Sequence, residues 1–230
     1  MRFDLAVIGG GPGGYLAAIK AAQKGKNVCL IDKDKLGGVC LNWGCIPTKA
    51  LIKNAEVYNY VKNSEKYGIS IKDYSVDFKK NIKRSRNVSD RLSKGIEYLI
   101  KKNKIIHIKG EGILKSENKI IVESQKKSIV LEADYIILAM GARPKSFPGL
   151  EFDYKRIISS KEAMVLDSIP KKIIIIGSGA IGCEFSYYFN EFGSEVHLIE
   201  AKTDILPVED LEISKELERG FKKSGIYVYK

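Results

Sequence analysis

Two stretches of this 230-residue chain repeat one pattern of apolar and polar positions. Residues 4–8, Asp-Leu-Ala-Val-Ile, run into Gly9-Gly10-Gly11-Pro12-Gly13-Gly14. Residues 172–176, Lys-Ile-Ile-Ile-Ile, run into Gly177-Ser178-Gly179-Ala180-Ile181-Gly182. A short apolar run that ends in glycines predicts a buried strand followed by a tight turn. Helical spacing follows over 15–24 and over 180–192. A second apolar run then ends on an acid, Val28-Cys29-Leu30-Ile31-Asp32 in one stretch and Val196-His197-Leu198-Ile199-Glu200 in the other. The acid stands 23 residues beyond the first glycine in both, and the offset between copies is 168 throughout. The chain therefore carries two copies of one strand–helix–strand unit.

Between the copies the pattern predicts a helix over 43–62 and a longer, charged one over 76–103. Val88, Leu92, Ile96 and Leu99 recur at helical spacing and form the expected packing stripe of the second. Short strands are predicted at 104–109, 119–123, 128–131 and 134–138. Ala139-Met140-Gly141-Ala142-Arg143-Pro144 reads as a strand leaving its sheet, and 144–149 as a linker. The predicted fold is α/β, with two Rossmann-like dinucleotide-binding units: a first domain over 1–145 and a second, truncated one over 146–230.

The glycine spacing has a physical purpose. In G-x-G-x-x-G the first glycine permits the turn, the second lets a pyrophosphate approach the backbone, and the third lets helix and strand pack closely. The helix start offers free N–H groups to the phosphates. The acid at the end of the second strand accepts hydrogen bonds from ribose hydroxyls. Gly9, Gly11, Gly14 and Asp32 fill these roles in the first copy, and Gly177, Gly179, Gly182 and Glu200 in the second. Two dinucleotides on one chain point to electron transfer between them.

Composition narrows the class. Hydrophobic residues make up 44% of the chain, enough to bury a core. The formal net charge is +11, but the lysines are scattered, as in Lys101-Lys102, Lys126-Lys127 and Lys222-Lys223. No RNA-binding aromatic signature accompanies them, so the charge reads as a solvated surface and not as a nucleic-acid site. No apolar run approaches the roughly 20 residues that cross a bilayer. A strand-like pattern starts directly after Met1-Arg2, which leaves no room for a secretion signal. A cytoplasmic protein without a membrane contact is expected.

Four cysteines in such a chain should be thiols unless they do chemistry. Cys29 and Cys183 fall in apolar patterns and read as small core residues. Cys40 and Cys45 sit in Gly37-Gly38-Val39-Cys40-Leu41-Asn42-Trp43-Gly44-Cys45-Ile46-Pro47-Thr48-Lys49. A zinc site needs about four ligands, and neither a histidine nor a second C-x-x-C lies nearby, so no metal is expected. Two unrelated core cysteines remain one reading. A redox pair fits better, because a cytosolic dithiol is oxidised only during turnover. Thiolate chemistry also wants a helix start or a cation nearby; Cys45 opens a helical pattern and Lys49 follows one turn later.

The stretch 37–50 closely resembles the active-site signature of the class I pyridine nucleotide–disulfide oxidoreductases, and Cys-Leu-Asn-Trp-Gly-Cys-Ile-Pro is nearest to the branch that acts on lipoamide. The order of first fingerprint, cysteine pair, Ala-x-Gly turn and second fingerprint also follows that family, over essentially the whole chain. The resemblance implies FAD held by Gly9, Gly11, Gly14 and Asp32, with Gly38, Val39, Gly112, Met140 and Gly141 as further contacts. It implies Lys49 beside the flavin, paired with Glu184. NAD is expected on Gly177, Gly179, Ala180, Ile181, Gly182, Glu184 and Glu200. A carboxylate at 200 suits a free ribose 2′-hydroxyl and repels a 2′-phosphate, and Ala201 and Lys202 follow in place of arginines.

By the same resemblance, Cys40 is the thiol that attacks substrate and Cys45 the one that faces the flavin. Electrons pass from protein-bound dihydrolipoamide to the pair, then to FAD and NAD. The implied partners are lipoyl domains of 2-oxoacid dehydrogenase or glycine cleavage complexes, and a second copy in a full-length homodimer. Two departures stand out. The family's Ala-Thr-Gly turn is Ala139-Met140-Gly141 here, which keeps the main-chain contacts and loses a hydroxyl contact. The family also continues into the rest of the NAD domain, a return to the FAD domain and a dimerisation domain with a His–Glu base. His107 and His197 lie in strand patterns and are expected to be structural, so the chain alone is expected to be inactive. A glutathione- or mercuric-type reductase and a non-catalytic dinucleotide-binding fragment are the alternatives.

Overall fold

The computed structural model describes residues 1–124 and 127–230, which leaves Lys126 of the Lys126-Lys127 pair outside the described residues. The chain is α/β and divides into two compact units. One comprises residues 1–47 and 86–157, the other 48–85 and 158–230. The segment 48–85 thus groups with the second fingerprint.

The first unit is built on a six-stranded sheet of β1 (Arg2–Ile8), β2 (Val28–Asp32), β3 (Ile106–Lys109), β4 (Glu111–Ser116), β5 (Lys119–Glu123) and β6 (Ser128–Leu138), in the order β3-β2-β1-β6-β5-β4. The four strands from β3 to β6 in that order are parallel, and β6-β5-β4 continue antiparallel. The central strands are buried on both faces, which is why they read as unbroken apolar runs. Leu5 and Val7 of β1 join Val28, Leu30 and Ala18 on one face, the last from helix α1 (Pro12–Gln23). Ala6 and Ile8 join Cys29, Ile31, Ile120 and Val122 on the other.

Three features differ from the sequence expectation. The strands expected at 128–131 and 134–138 are one strand, β6. Glu132 and Asp134 point to solvent within it, and Glu132 pairs in register with Lys119 on one side and Arg2 on the other. Strand β4, flanked and entered by Gly110 and Gly112, was not expected. A Cβ on Gly110 would come within 2.6 Å of the Glu123 carbonyl oxygen, so the glycine serves strand packing. The helix expected from 43 is preceded by a separate short one, α2 (Gly38–Trp43), and starts as α3 (Cys45–Lys62) after a break at Gly44.

Helix α4 (Phe78–Lys102) forms close to its expected bounds, but its buried stripe differs. Leu92 and Leu99 are both more than a third exposed, whereas Ser85, Ser89 and Ser93, four residues apart, are buried. Small hydroxyl side chains let a neighbouring segment approach and accept hydrogen bonds, so here the helix packs through its polar positions.

The second unit holds a parallel sheet in the order β7 (Lys172–Ile176), β8 (Glu195–Ile199), β9 (Tyr227–Tyr229). Helix α5 (Ser160–Ala163) precedes it, opened by a capping box of Ser159 and Glu162. Helix α6 (Ala180–Glu191) links β7 to β8, and α7 (Leu211–Lys223) links β8 to β9. The core gathers Phe185, Tyr188 and Phe189 of α6, Val196 and Leu198 of β8, Phe221 of α7, and Leu51 and Ala55 of α3. Among the described residues no helix is long and apolar enough to cross a membrane.

Candidate functional site: two glycine cradles and a cysteine helix

The two fingerprints have the same local geometry. Gly9 and Gly177 adopt φ of +109° and +97°, a region that disfavours side chains. Their amides donate to Ile31 O and Ile199 O, each at 2.8 Å. A Cβ on Gly14 would lie 1.7 Å from Gly9 O, and one on Gly182 would lie 1.9 Å from Gly177 O. The third glycine is therefore the point at which helix and turn touch. The middle glycines behave differently. A Cβ on Gly179 would meet nothing within 4 Å, and one on Gly11 only Gly38 Cα at 3.7 Å. Gly11 and Gly179 are also the N-cap residues of α1 and α6, and neither helix has a side-chain cap or an acid in its first turn. Free amides beside open space fit a phosphate group.

The acids close each cradle. Asp32 accepts from the amides of Gly10 at 2.5 Å and Asp34 at 2.7 Å. Glu200 accepts from the Ser178 amide at 2.9 Å, the Ser178 hydroxyl at 2.6 Å and the Lys202 amide at 3.0 Å. Burial pushes the Glu200 carboxyl up, but the Ser178 hydroxyl and the amides outweigh it and hold it below the usual range. Both acids are thus fixed as acceptors at the end of β2 and β8.

The cysteine segment is stitched to the first cradle. Gly37 lies at φ +100° and donates its amide to Gly10 O at 2.8 Å. A Cβ on Gly38 would come within 2.6 Å of Gly11 Cα. The start of α2 therefore touches the backbone of the fingerprint turn. Cys40 is half-buried on α2, Val39 beside it is exposed, and Cys45 is exposed at the first position of α3. Both are thiols in this structure. Cys29 and Cys183 are buried as expected, and burial pushes each thiol up to about 12.

Lys49, one turn into α3, pairs with Glu184 of α6, with Nζ 2.5 Å from Oε1. Ala180 and Ile181 are exposed in the first turn of α6. Gly112 lies in β4, where a Cβ would sit 3.1 Å from Ile8 Cγ2, so it adjoins the end of β1 just before the cradle. Met140 is 70% exposed beyond β6, and Gly141 follows at φ +69°. Both histidines lie in strands, as expected. His107 lies in β3. His197 is half-buried, not buried as its strand position suggested; it contacts Glu195 at 2.8 Å and Tyr229 Oη at 3.0 Å.

Sequence reasoning missed three residues in this region. Asn42 is buried between the cysteines and donates to Lys35 O, Leu36 O and Gly38 O. Ser93 and Arg86 of α4 contact the same segment. Only the four-residue spacing of serines 85, 89 and 93 hinted at that face.

Comparison with known proteins agrees with this arrangement. A dihydrolipoyl dehydrogenase of Chlorobaculum parvum is 46% identical over 228 residues, covering 99% of this chain and 49% of the relative. That of Bacillus subtilis is 42% identical over 227 residues, covering 98% and 50%. The mitochondrial dihydrolipoyl dehydrogenase of Pisum sativum is 41% identical over 226 residues, covering 97% and 45%. The chain thus spans about half the length of the curated relatives it matches. The family model described as pyridine nucleotide-disulphide oxidoreductase matches residues 3–230, and the chain belongs to that family.

Proposed function

We propose that this chain is the cofactor-binding and disulfide-bearing part of a dihydrolipoyl dehydrogenase, which oxidises protein-bound dihydrolipoamide to lipoamide with NAD. The observation that carries the reading is the contact of Gly37 and Gly38 with Gly10 and Gly11, which seats the cysteine helix on a dinucleotide cradle. Residues 1–145 are assigned to FAD and 146–230 to NAD. FAD, when bound, supplies two-electron transfer between the cysteine pair and NAD.

The chain's own residues divide the work. Gly9, Gly11 and Gly14 leave the phosphates of FAD room, and Asp32 accepts from its ribose. Gly38, Val39, Gly112, Met140 and Gly141 border the same cradle. Gly177, Gly179, Ala180, Ile181 and Gly182 do likewise for NAD, and the fixed Glu200 carboxylate selects against a 2′-phosphate. Cys40 exchanges with the substrate sulfur and Cys45 faces the flavin, with Lys49 held by Glu184 one turn on. The partners are lipoyl domains of 2-oxoacid dehydrogenase or glycine cleavage complexes, and the intact enzyme is a cytoplasmic homodimer.

Two measurements test this. The intact enzyme should use NADH in strong preference to NADPH; a preference for NADPH contradicts the assignment at Glu200. Because His107 and His197 read as structural, the 230-residue chain alone should show little or no NAD-dependent oxidation of dihydrolipoamide. Near-normal turnover would contradict the need for a base from elsewhere.

A further inference from the structure

Helix α2, which carries Cys40, is six residues long. A helix of that length does not stand alone in water, so its position is set by what holds it. Three residues do so. Asn42 spends its amide nitrogen on the carbonyls of Lys35 at 3.3 Å and of Leu36 and Gly38 at 3.0 Å. Ser93 Oγ lies 2.9 Å from Asn42 Oδ1 and 3.2 Å from Leu36 O. Arg86 donates from Nη2 to Asn42 O at 2.5 Å and to Ser89 Oγ at 2.9 Å, and its guanidinium lies 4.6 Å from the centre of the Trp43 ring.

The placement of Arg86 is specific. Asn42 O is one of the last carbonyls of α2, where the helix dipole favours a cation. Trp43 is the next residue, and stacking on its face suits a planar guanidinium better than an ammonium. Asn42 and Trp43 both lie between the two cysteines, so Arg86 grips the loop that Cys40 and Cys45 close.

Resting on the redox reading above, we propose that Arg86, with Ser93, is a positioning residue for the cysteine pair: it holds Asn42 and Trp43 so that the thiols of Cys40 and Cys45 are kept ready to pair. The step is the exchange of the protein dithiol with oxidised glutathione, which gives the protein disulfide and two reduced glutathiones; the pair loses two electrons and glutathione gains them. Holding the loop raises the effective concentration of one thiol at the other and favours the disulfide.

The test is the equilibrium constant of that exchange for the full chain, read by acid quench, alkylation and peptide mass. Arg86→Ala should shift it toward the dithiol by about tenfold, equivalent to about 30 mV for a two-electron couple. Arg86→Lys keeps the cation at Asn42 O and should recover most of the loss. Ser93→Ala should move the constant the same way by roughly threefold, about the worth of one hydrogen bond. It decides the matter if Arg86→Ala fails to melt cooperatively. Constants equal to the parent's in folded Arg86→Ala, or in Ser93→Ala where the first does not fold, overturn the inference and leave the redox reading intact. A parent chain in which Cys40 and Cys45 never pair overturns the redox reading itself.

Discussion

At the scale of single residues, the glycines separate into two kinds that the motif alone does not distinguish. Gly14 and Gly182 have no room for a methyl group, since each Cβ would overlap a carbonyl oxygen of the same turn. Gly14→Ala and Gly182→Ala should each destabilise by about 1–3 kcal/mol or more, read from the urea midpoint. Gly179→Ala has space and should leave stability nearly unchanged, yet weaken NAD binding. The cysteines separate as well. Iodoacetamide on the native chain should label Cys45 readily and spare Cys29 and Cys183, which peptide mapping checks. Because burial raises the Cys29 and Cys183 thiols to about 12, their neutral form is favoured in the fold. That stabilisation is complete below the ordinary thiol value near 9 and is lost as pH rises toward about 12. Urea midpoints should fall across that window, and less so in Cys29→Ala. The glycines and acids of the two cradles were legible because their spacing is fixed by contact with one turn. Ser93 and Arg86 were not, because their partners Leu36 and Asn42 are distant in sequence, and Asn42 was not, because no spacing rule marks the nearby carbonyls that its side chain holds.

At the scale of elements, the strands with an unbroken apolar run were the most legible. β2, β5 and β7 have the bounds that their apolar runs predict. Elements whose reason lies in a neighbour were hidden. β4 lacks an unbroken apolar run, because Gly112 within it yields space to Ile8 and Ile31 and Gly110 before it yields space to Val122. α2 is too short to show a helical period, and β6 is crossed by charges that face solvent. Helix α7 illustrates a local signal that was there to read: Asp210 accepts from the amides of Glu212 at 2.9 Å and Ile213 at 3.3 Å. Removing this cap with Asp210→Ala should cost about 0.5–2 kcal/mol in the urea midpoint. An unchanged midpoint would show that α7 is held by Ser214, Glu218 and Phe221 on its buried side alone.

At the scale of the whole chain, the repeat at an offset of 168 revealed two glycine cradles of one geometry, but not how the chain is divided between them. Residues 48–85 belong with 158–230 through Leu51 and Ala55, which pack with Phe185 and Phe189, and through Asn59 and Lys62, which hold Glu191. Contacts of that kind are made by helices far apart in sequence and leave no local pattern. The central claim is that one chain carries a flavin and a second, protein-borne two-electron centre. The most direct measurement is an anaerobic reductive titration of the FAD-loaded protein with dithionite. The parent should take up two electrons more than the flavin alone accounts for, and Cys40→Ser and Cys45→Ser should each lose that extra pair. Equal electron uptake by parent and variants would contradict the account.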